Sequence, residues 1–408
     1  MNLANSVERY RAGRERSRRI FDIPAPERYY SRPIKLRNPI VFYEGHLPAF
    51  NVNTLIKGGL HERGVSADYE RLFERGIDPE DEGGVKSPTD LWPPREKVLA
   101  YARTADEMIE AALRRDLSNI ADYVIAIIEH EFMHQETLLY MLHNMEYEGK
   151  QKTAPLSRAE PALSGAERDT DEVRVPAGIA TLGLSRDQWG WDNEFPQHRV
   201  DVPAFTIDKF NVTNGEYREF VEATGANPPH FWLRKNGQWL WRGMFDLIPL
   251  PLEWPVYVSQ EEGEAYARWK GKRLPTEPEY HRAAFGTPSG EEREYPWGNE
   301  APDHSRGNFD FTHWDPVAVG SYPAGASAWG VHDLVGNGWE WTSTTFHGFD
   351  GFEPMRSYPV YSTDFFDGQH YVLKGASPAT GLPLIRKTFR NWFRPNYPYI
   401  YATFRCVS

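Results

Sequence analysis

The chain has 408 residues, a formal net charge of −12 and an aromatic content of 14%. That length exceeds what one hydrophobic core usually fills, so two domains are expected, and the acidic balance argues against a nucleic-acid partner, which needs clustered Lys and Arg. No stretch reaches the ~18 apolar residues that span a bilayer and no apolar signal core opens the chain, so a soluble, cytoplasmic protein with no membrane partner is expected.

In chain order, the pattern up to Tyr147 is helical. Candidate helices are Val7 to Arg19, Ile40 to Lys57, Arg95 to Arg115 after Pro93-Pro94, and Asn119 to Met145. The basic run Arg9 to Arg19 reads as a solvated helix face. In the last helix Val124, Ile127, His134, Leu138, Met141 and Met145 recur mostly at three- and four-residue spacing, the mark of a helix burying one stripe. Four such helices suggest a bundle over residues 1–147. Residues 148–172 are polar and aperiodic and read as a linker. From Val173 the texture changes to short β-like runs, VRVPAGIATLGL and HRVDVPAFTIDKFNVT, with helical stretches at Asn214 to Thr224 and Ser259 to Lys270. The expected fold class is therefore α plus α+β, with the second domain over residues 173–408.

The single cysteine, Cys406, leaves no disulfide framework and no Cys-based cluster, so a metal must rely on His and carboxylate. The run His130-Glu131-Phe132-Met133-His134-Gln135-Glu136 meets that need. A four-residue step on a helix turns by roughly 40° and rises roughly 6 Å, so His130 and His134 stack on one face and can grip one ion. The same residues match H-E-x-x-H, in which Glu131 would be the base of a zinc hydrolase. Upstream, His46 lies in the helical segment Phe42-Tyr43-Glu44-Gly45-His46-Leu47-Pro48 and is the candidate third ligand. Three imidazoles suit Fe(II) and catalytic zinc equally.

These residues, with those of the second half, resemble the ergothioneine-type sulfoxide synthases. In the first half the resemblance rests on His46 and His130-x-x-x-His134-x-Glu136. In the second it rests on Arg273-Leu274-Pro275-Thr276-Glu277-Pro278-Glu279-Tyr280, Gly336-Asn337-Gly338-Trp339-Glu340-Trp341-Thr342, Phe366-Asp367-Gly368, Val372-Leu373-Lys374-Gly375-Ala376-Ser377 and Phe389-Arg390-Asn391-Trp392. The resemblance implies a DinB-like four-helix bundle joined to a domain of the formylglycine-generating-enzyme (C-type-lectin-like) fold. It also implies an Fe(II) centre between the domains that uses O2 to put sulfur or selenium on the imidazole C2 of hercynine, the trimethylated betaine of histidine. Asn391 matches a residue that helps hold the betaine, and Phe42 and Trp392 are candidates for an aromatic wall around its quaternary ammonium. Trp339-Glu340-Trp341 is expected to pack the second core, and Glu340 with Asn337 could join a structural calcium site.

The departures bear on the selenium or sulfur donor. Where many ergothioneine enzymes carry a proton-donating tyrosine, this chain reads Ser343-Thr344-Thr345-Phe346-His347-Gly348-Phe349. Phe346 and Phe349 lack a hydroxyl, which leaves His347 or another Tyr to supply the proton. Phe393 stands where an Asp would hold the amine of γ-glutamylcysteine, and Arg95 stands alone where paired arginines could clamp carboxylates. A neutral, hydroxyl-rich donor needs none of these charges. The resemblance therefore leans toward the selenoneine-synthase branch with a selenosugar donor, ahead of an ergothioneine role with a thiol donor. A zinc hydrolase or DinB-type thiol transferase, and a non-catalytic binding module, are the other readings. Formylglycine generation is disfavoured because that chemistry uses paired cysteines.

Overall fold

A computed structural model describes residues 5–74, 92–157 and 172–408. It divides into two compact units, Met1–Ala154 together with Arg356–Tyr358, and Pro155–Met355 together with Pro359–Ser408. Among the described residues no helix is long and apolar enough to cross a membrane.

The first unit is helical: α1 (Ser6–Phe21), α2 (Ile40–Asn51), α3 (Ala67–Leu72), α4 (Arg95–Leu113) and α5 (Ala121–His143). Helix α1 packs on α4 and α5, and α2 packs on the same pair. The stripe on α5 does what its spacing requires: Val124, Ile127, Leu138 and Met141 are fully buried, each contributing about 1.5–3 kcal/mol of apolar burial. Along the same side of α5 the stripe is interrupted by a polar core at Glu131. Arg14 Nε donates to Asp106 at 2.8 Å and Arg14 Nη1 to Glu131 at 3.0 Å, while Tyr10 donates to Asp106 at 2.8 Å and Ser17 donates to Glu131. The basic run is thus not wholly a solvated face, because Arg14 lies on the buried side of α1 and is only 5% exposed. Removing a partner from such a pair strands a buried charge.

The expected helix over Ile40 to Lys57 is one rod with two geometries. Pro48 sits inside α2, where it lacks the N–H that would bond back one turn, and from Val52 to Gly59 the chain winds as a π-helix. The expected linker also divides. Residues 158–171 lie outside the described residues, whereas the stretch before them packs on the helical unit, with Gln151 N–H donating to the Ile23 carbonyl at 2.7 Å. Main-chain hydrogen bonds of this kind are why a polar, aperiodic stretch can still be ordered.

The second unit opens with β1 (Glu172–Val175), β2 (Gly178–Leu182), β3 (His198–Val202) and β4 (Phe205–Asp208), paired antiparallel as β1 with β4 and β2 with β3. Helix α6 (Asn214–Thr224), a meander of β5 (Trp232–Lys235), β6 (Gln238–Arg242) and β7 (Leu247–Pro249), and α7 (Gln260–Trp269) follow. Next comes α8 (Glu277–Phe285), which the sequence reading did not anticipate. Its start is nonetheless written in the chain, since Thr276 and Glu279 form a capping box. Strands β8 (Gly338–Thr345), β9 (Tyr371–Ala376), β10 (Asn391–Phe393) and β11 (Ala402–Thr403) form a four-stranded sheet in the order β10-β9-β8-β11, with only β8 and β11 parallel. Tyr280, Ala283 and Ala284 of α8 join Val175, Val202, Phe205 and Ile207 in one core cluster.

Trp339 and Trp341 are buried, and the Trp341 indole donates to the Val258 carbonyl at 2.9 Å. Between them Glu340 accepts both arms of Arg405, at 2.8 and 2.7 Å, with both side chains fully buried. Asn337 Oδ1 accepts from the Val317 N–H at 2.9 Å, and its Nδ2 donates to the Val317 carbonyl at 3.0 Å. Protein partners thus engage the two groups named for a calcium ion.

Candidate metal centre

His130 and His134 project from α5 one turn apart, and His46 comes from α2. Each offers one ring nitrogen, and the three atoms lie within 4.8 Å of one another. Helix α2 supplies the brace as well as the ligand. Phe42 stacks on His46 with ring centroids 4.9 Å apart, Phe50 stacks on His130 at 3.5 Å, and Tyr43 lies 5.6 Å from His134. Residues 42, 43, 46 and 50 share this duty because three- and four-residue steps bring side chains to one side of a helix.

The carbonyl of Phe73 fixes the His46 tautomer. It can only accept, so His46 Nδ1, 2.8 Å away, carries the proton and Nε2 is left as the basic nitrogen. Gly45 makes this approach possible: a Cβ there would lie 2.4 Å from the Phe73 ring. Burial, followed by the neighbouring histidines, holds His130 well below the usual imidazole range, and burial, His46 and Arg37 do the same for His134. Both rings are therefore neutral at physiological pH, the form that ligates metals. Their Nδ1 atoms are buried without a hydrogen-bond partner. Three converging imidazoles, two of them neutral with an orphaned nitrogen, fit a divalent transition metal.

Glu131 does not face this cluster. One residue along from His130 the helix has turned by about 100°, and the carboxylate is held by Arg14 and Ser17. Gln135, one turn further, donates to the Gly13 carbonyl at 2.9 Å and Ser17 Oγ at 3.0 Å. The H-E-x-x-H match thus divides between two helix faces, and only its histidines belong to the centre.

Arg95 is also committed within the first unit. Its guanidinium grips Glu44 at 2.8 and 3.0 Å and lies over the Tyr29 ring. The lone arginine named for substrate is thus engaged by Glu44 within its own unit.

The sequence reading missed one side chain at the centre. Residues Arg356–Tyr358 belong to the helical unit although their neighbours in sequence do not. Arg356 reaches Asp122 at 3.4 Å and lies over the Tyr123 ring. Tyr358 meets Phe50 edge-on at 5.3 Å and His130 at 6.5 Å between ring centroids. A phenol therefore stands beside the histidines, supplied by a loop well beyond the Ser343–Phe349 stretch in which a tyrosine was sought. Long-range chain returns leave no periodic signal, and the Pro354 to Pro359 bracket around it is the only hint.

The remaining candidates belong to the second unit. Phe346 is fully buried, stacked on Trp392 at 4.3 Å with Arg390 over its ring at 5.2 Å. Protein groups thus cover the ring named at the position of the missing tyrosine. Phe349 is buried under the same guanidinium at 4.2 Å. Arg390 itself is 1% exposed and donates to Glu277 at 3.0 Å and to the His347 carbonyl at 2.9 Å. His347 is exposed, with Nδ1 2.7 Å from the Gly348 carbonyl. Asn391 Oδ1 accepts from the Trp392 N–H at 2.9 Å, and Phe393 stacks on Tyr397 at 5.3 Å.

Comparison with known proteins agrees with this division. Residues 158–408 match the FGE-sulfatase family, described as the sulfatase-modifying factor enzyme 1-like domain. The hercynine oxygenase of Mycolicibacterium smegmatis is 32% identical over 96% of this chain and 96% of its own length. That of Mycobacterium tuberculosis is 36% identical over 68% of this chain and 69% of its own. Ergothioneine biosynthesis protein 1 of Neurospora crassa is 29% identical over 93% of this chain and 55% of its own. This chain belongs to the hercynine oxygenase family.

Proposed function

We propose that this chain catalyses Fe(II)- and O2-dependent formation of a carbon–selenium or carbon–sulfur bond at the imidazole C2 of hercynine, with a selenosugar as the preferred donor. One observation carries the reading: a centre of three converging imidazoles with a phenol beside it, in a chain with a full-length relative named hercynine oxygenase. The helical unit is read as a DinB-like bundle holding the metal, and the second unit as the lining of the substrate pocket, with Asn391 toward the betaine.

Iron bound by His46, His130 and His134 would supply the redox chemistry that zinc lacks. Because none of the three ligands is anionic, the site would favour a negatively charged selenium or sulfur atom of the donor. Phe42, Tyr43 and Phe50 hold the imidazoles in place. The Tyr358 hydroxyl is the group assigned to hold or deliver a proton beside the centre, a role typically worth about 10²–10⁴-fold in rate.

The presence of Tyr358 removes one of the three absences that favoured a selenosugar. The other two stand: Arg95 is engaged by Glu44, and Phe393 offers an apolar ring where an amine would want a carboxylate. The zinc-hydrolase alternative needs Glu131 as its base, and the ion pair with Arg14 counts against it.

The test is a donor competition. Protein loaded anaerobically with Fe(II) is given hercynine and a mixture of selenosugar, cysteine and γ-glutamylcysteine; O2 is admitted and products are read by mass. The expected result is a hercynine–selenium adduct formed only with O2 present. Exclusive turnover of a thiol donor would overturn the donor assignment, and no product from any donor would overturn the reaction.

A further inference from the structure

The second unit carries a recess of about 440 Å³ that shares no residue with the three-histidine centre. That volume lies within the range of small-molecule pockets, roughly 300–1,000 Å³. Its lining comes from the paired ends of β1 and β4, the first turn of α6 and the end of α7.

Some of its polar groups are used by the fold. Lys272 Nζ bridges Glu172 at 2.5 Å and Asp208 at 2.6 Å, and the other Asp208 oxygen accepts from the Cys406 N–H at 2.8 Å. Three others keep capacity in hand. Glu216 closes the cap of α6 with Oε2 alone, which accepts from the Thr213 N–H at 2.8 Å and its hydroxyl at 2.7 Å, so Oε1 is left over. Lys270, exposed just past α7, lies over the Trp269 ring at 4.9 Å and the Tyr266 ring at 5.9 Å and has no carboxylate partner among the described residues. Asn211 is 2% exposed, and neither its amide oxygen nor its amide nitrogen has a hydrogen-bond partner. An amide unpaired at both ends in the interior is costly unless a ligand completes it.

We propose that this recess binds a free α-amino acid. Its ammonium would sit on Glu216 and the Asn211 carbonyl, its carboxylate on Lys270 and the Asn211 NH₂, and its side chain along the Phe210 and Tyr266 rings that complete the lining. The unspent groups are one anion, one cation and one amide that both accepts and donates, which is the complement of a zwitterion carrying N–H donors. A phosphorylated ligand would meet three carboxylates against two lysines, which repels it. A trimethylated betaine such as hercynine has no N–H to give Glu216 or Asn211, so the recess selects against the substrate read for the metal centre.

The experiment is ligand-observed saturation-transfer NMR on the full chain, with the common L-amino acids presented singly and N,N,N-trimethylglycine as the control. Transfer to at least one amino acid and none to trimethylglycine is expected, and His46→Ala should leave it unchanged. Lys270→Glu alters an exposed position, and Glu216→Gln keeps the capping box; each should weaken the affinity for that amino acid by roughly tenfold or more. Asn211→Leu should abolish the transfer, and the other two variants decide the matter if it does not fold. No transfer to any amino acid, or equal transfer to trimethylglycine, would overturn the proposal. Native affinity in both Lys270→Glu and Glu216→Gln would place the amino acid elsewhere and overturn it too.

Discussion

Two regions of this chain combine aromatic rings with polar groups, and they use them oppositely. In the helical unit Phe42, Tyr43 and Phe50 brace three imidazoles, of which His130 and His134 keep a buried nitrogen without a partner. In the second unit Phe346, itself stacked on Trp392, and Phe349 lie under the Arg390 guanidinium, which is tied to Glu277 and backbone carbonyls. The first arrangement leaves ligating capacity unused. The second turns its aromatic faces on a guanidinium already held by the fold, in which Nη2 alone of the three nitrogens lacks a partner. Aromatic density alone therefore does not locate a site, nor does one unpaired nitrogen; orphaned imidazoles gathered within reach of a single ion do, because leaving buried polar atoms unpaired is costly unless a ligand completes them.

The largest effect that sharpens this contrast is expected at Glu131. If it is a structural ion, Glu131→Ala should destabilise the fold by about 3 kcal/mol, because buried Arg14 Nη1 and Ser17 lose their acceptor while Arg14 keeps Asp106, as measured by denaturant unfolding. A hydrolase base would instead show unchanged stability with lost activity. Next is Gly45→Ala, which should push on Phe73, disturb the carbonyl that orients His46, and weaken metal affinity by roughly 10–100-fold in a chelator competition. Unchanged affinity would mean that the Phe73 bond does not set the ligand. Smallest is Phe346→Tyr, which restores a hydroxyl where the sequence lacked one. It should cost about 1–3 kcal/mol by overpacking between Trp392 and Arg390 and should not raise turnover. A faster enzyme would show that the second region is a catalytic wall after all.

The sequence made the metal ligands legible because their helical spacing is local and the apolar stripe of α5 fixes which way they point. Helix limits followed for the same reason, to within a few residues. What stayed hidden depended on tertiary returns. Nothing in His130 to Glu136 says that Glu131 will meet Arg14, over a hundred residues away. Tyr358 was missed because its loop leaves one unit for the other, and the proton-donor search stopped at Phe349. Helix α8 was missed for a weaker reason, since its Thr276–Glu279 capping box is readable but opens on Pro278, which looks like a turn. The partners of Arg95 and Phe346, Glu44 and Arg390, stayed hidden because they are far away in sequence.

The central claim is that His46, His130 and His134 together hold one redox-active metal. Anaerobic equilibrium dialysis against Fe(II), comparing the native chain with His46→Ala, tests it most directly. The account predicts about one iron per native chain and almost none in the variant, with the helical fold retained by circular dichroism. Equal iron in both would contradict it and would return His46 to the helix core as an ordinary buried histidine.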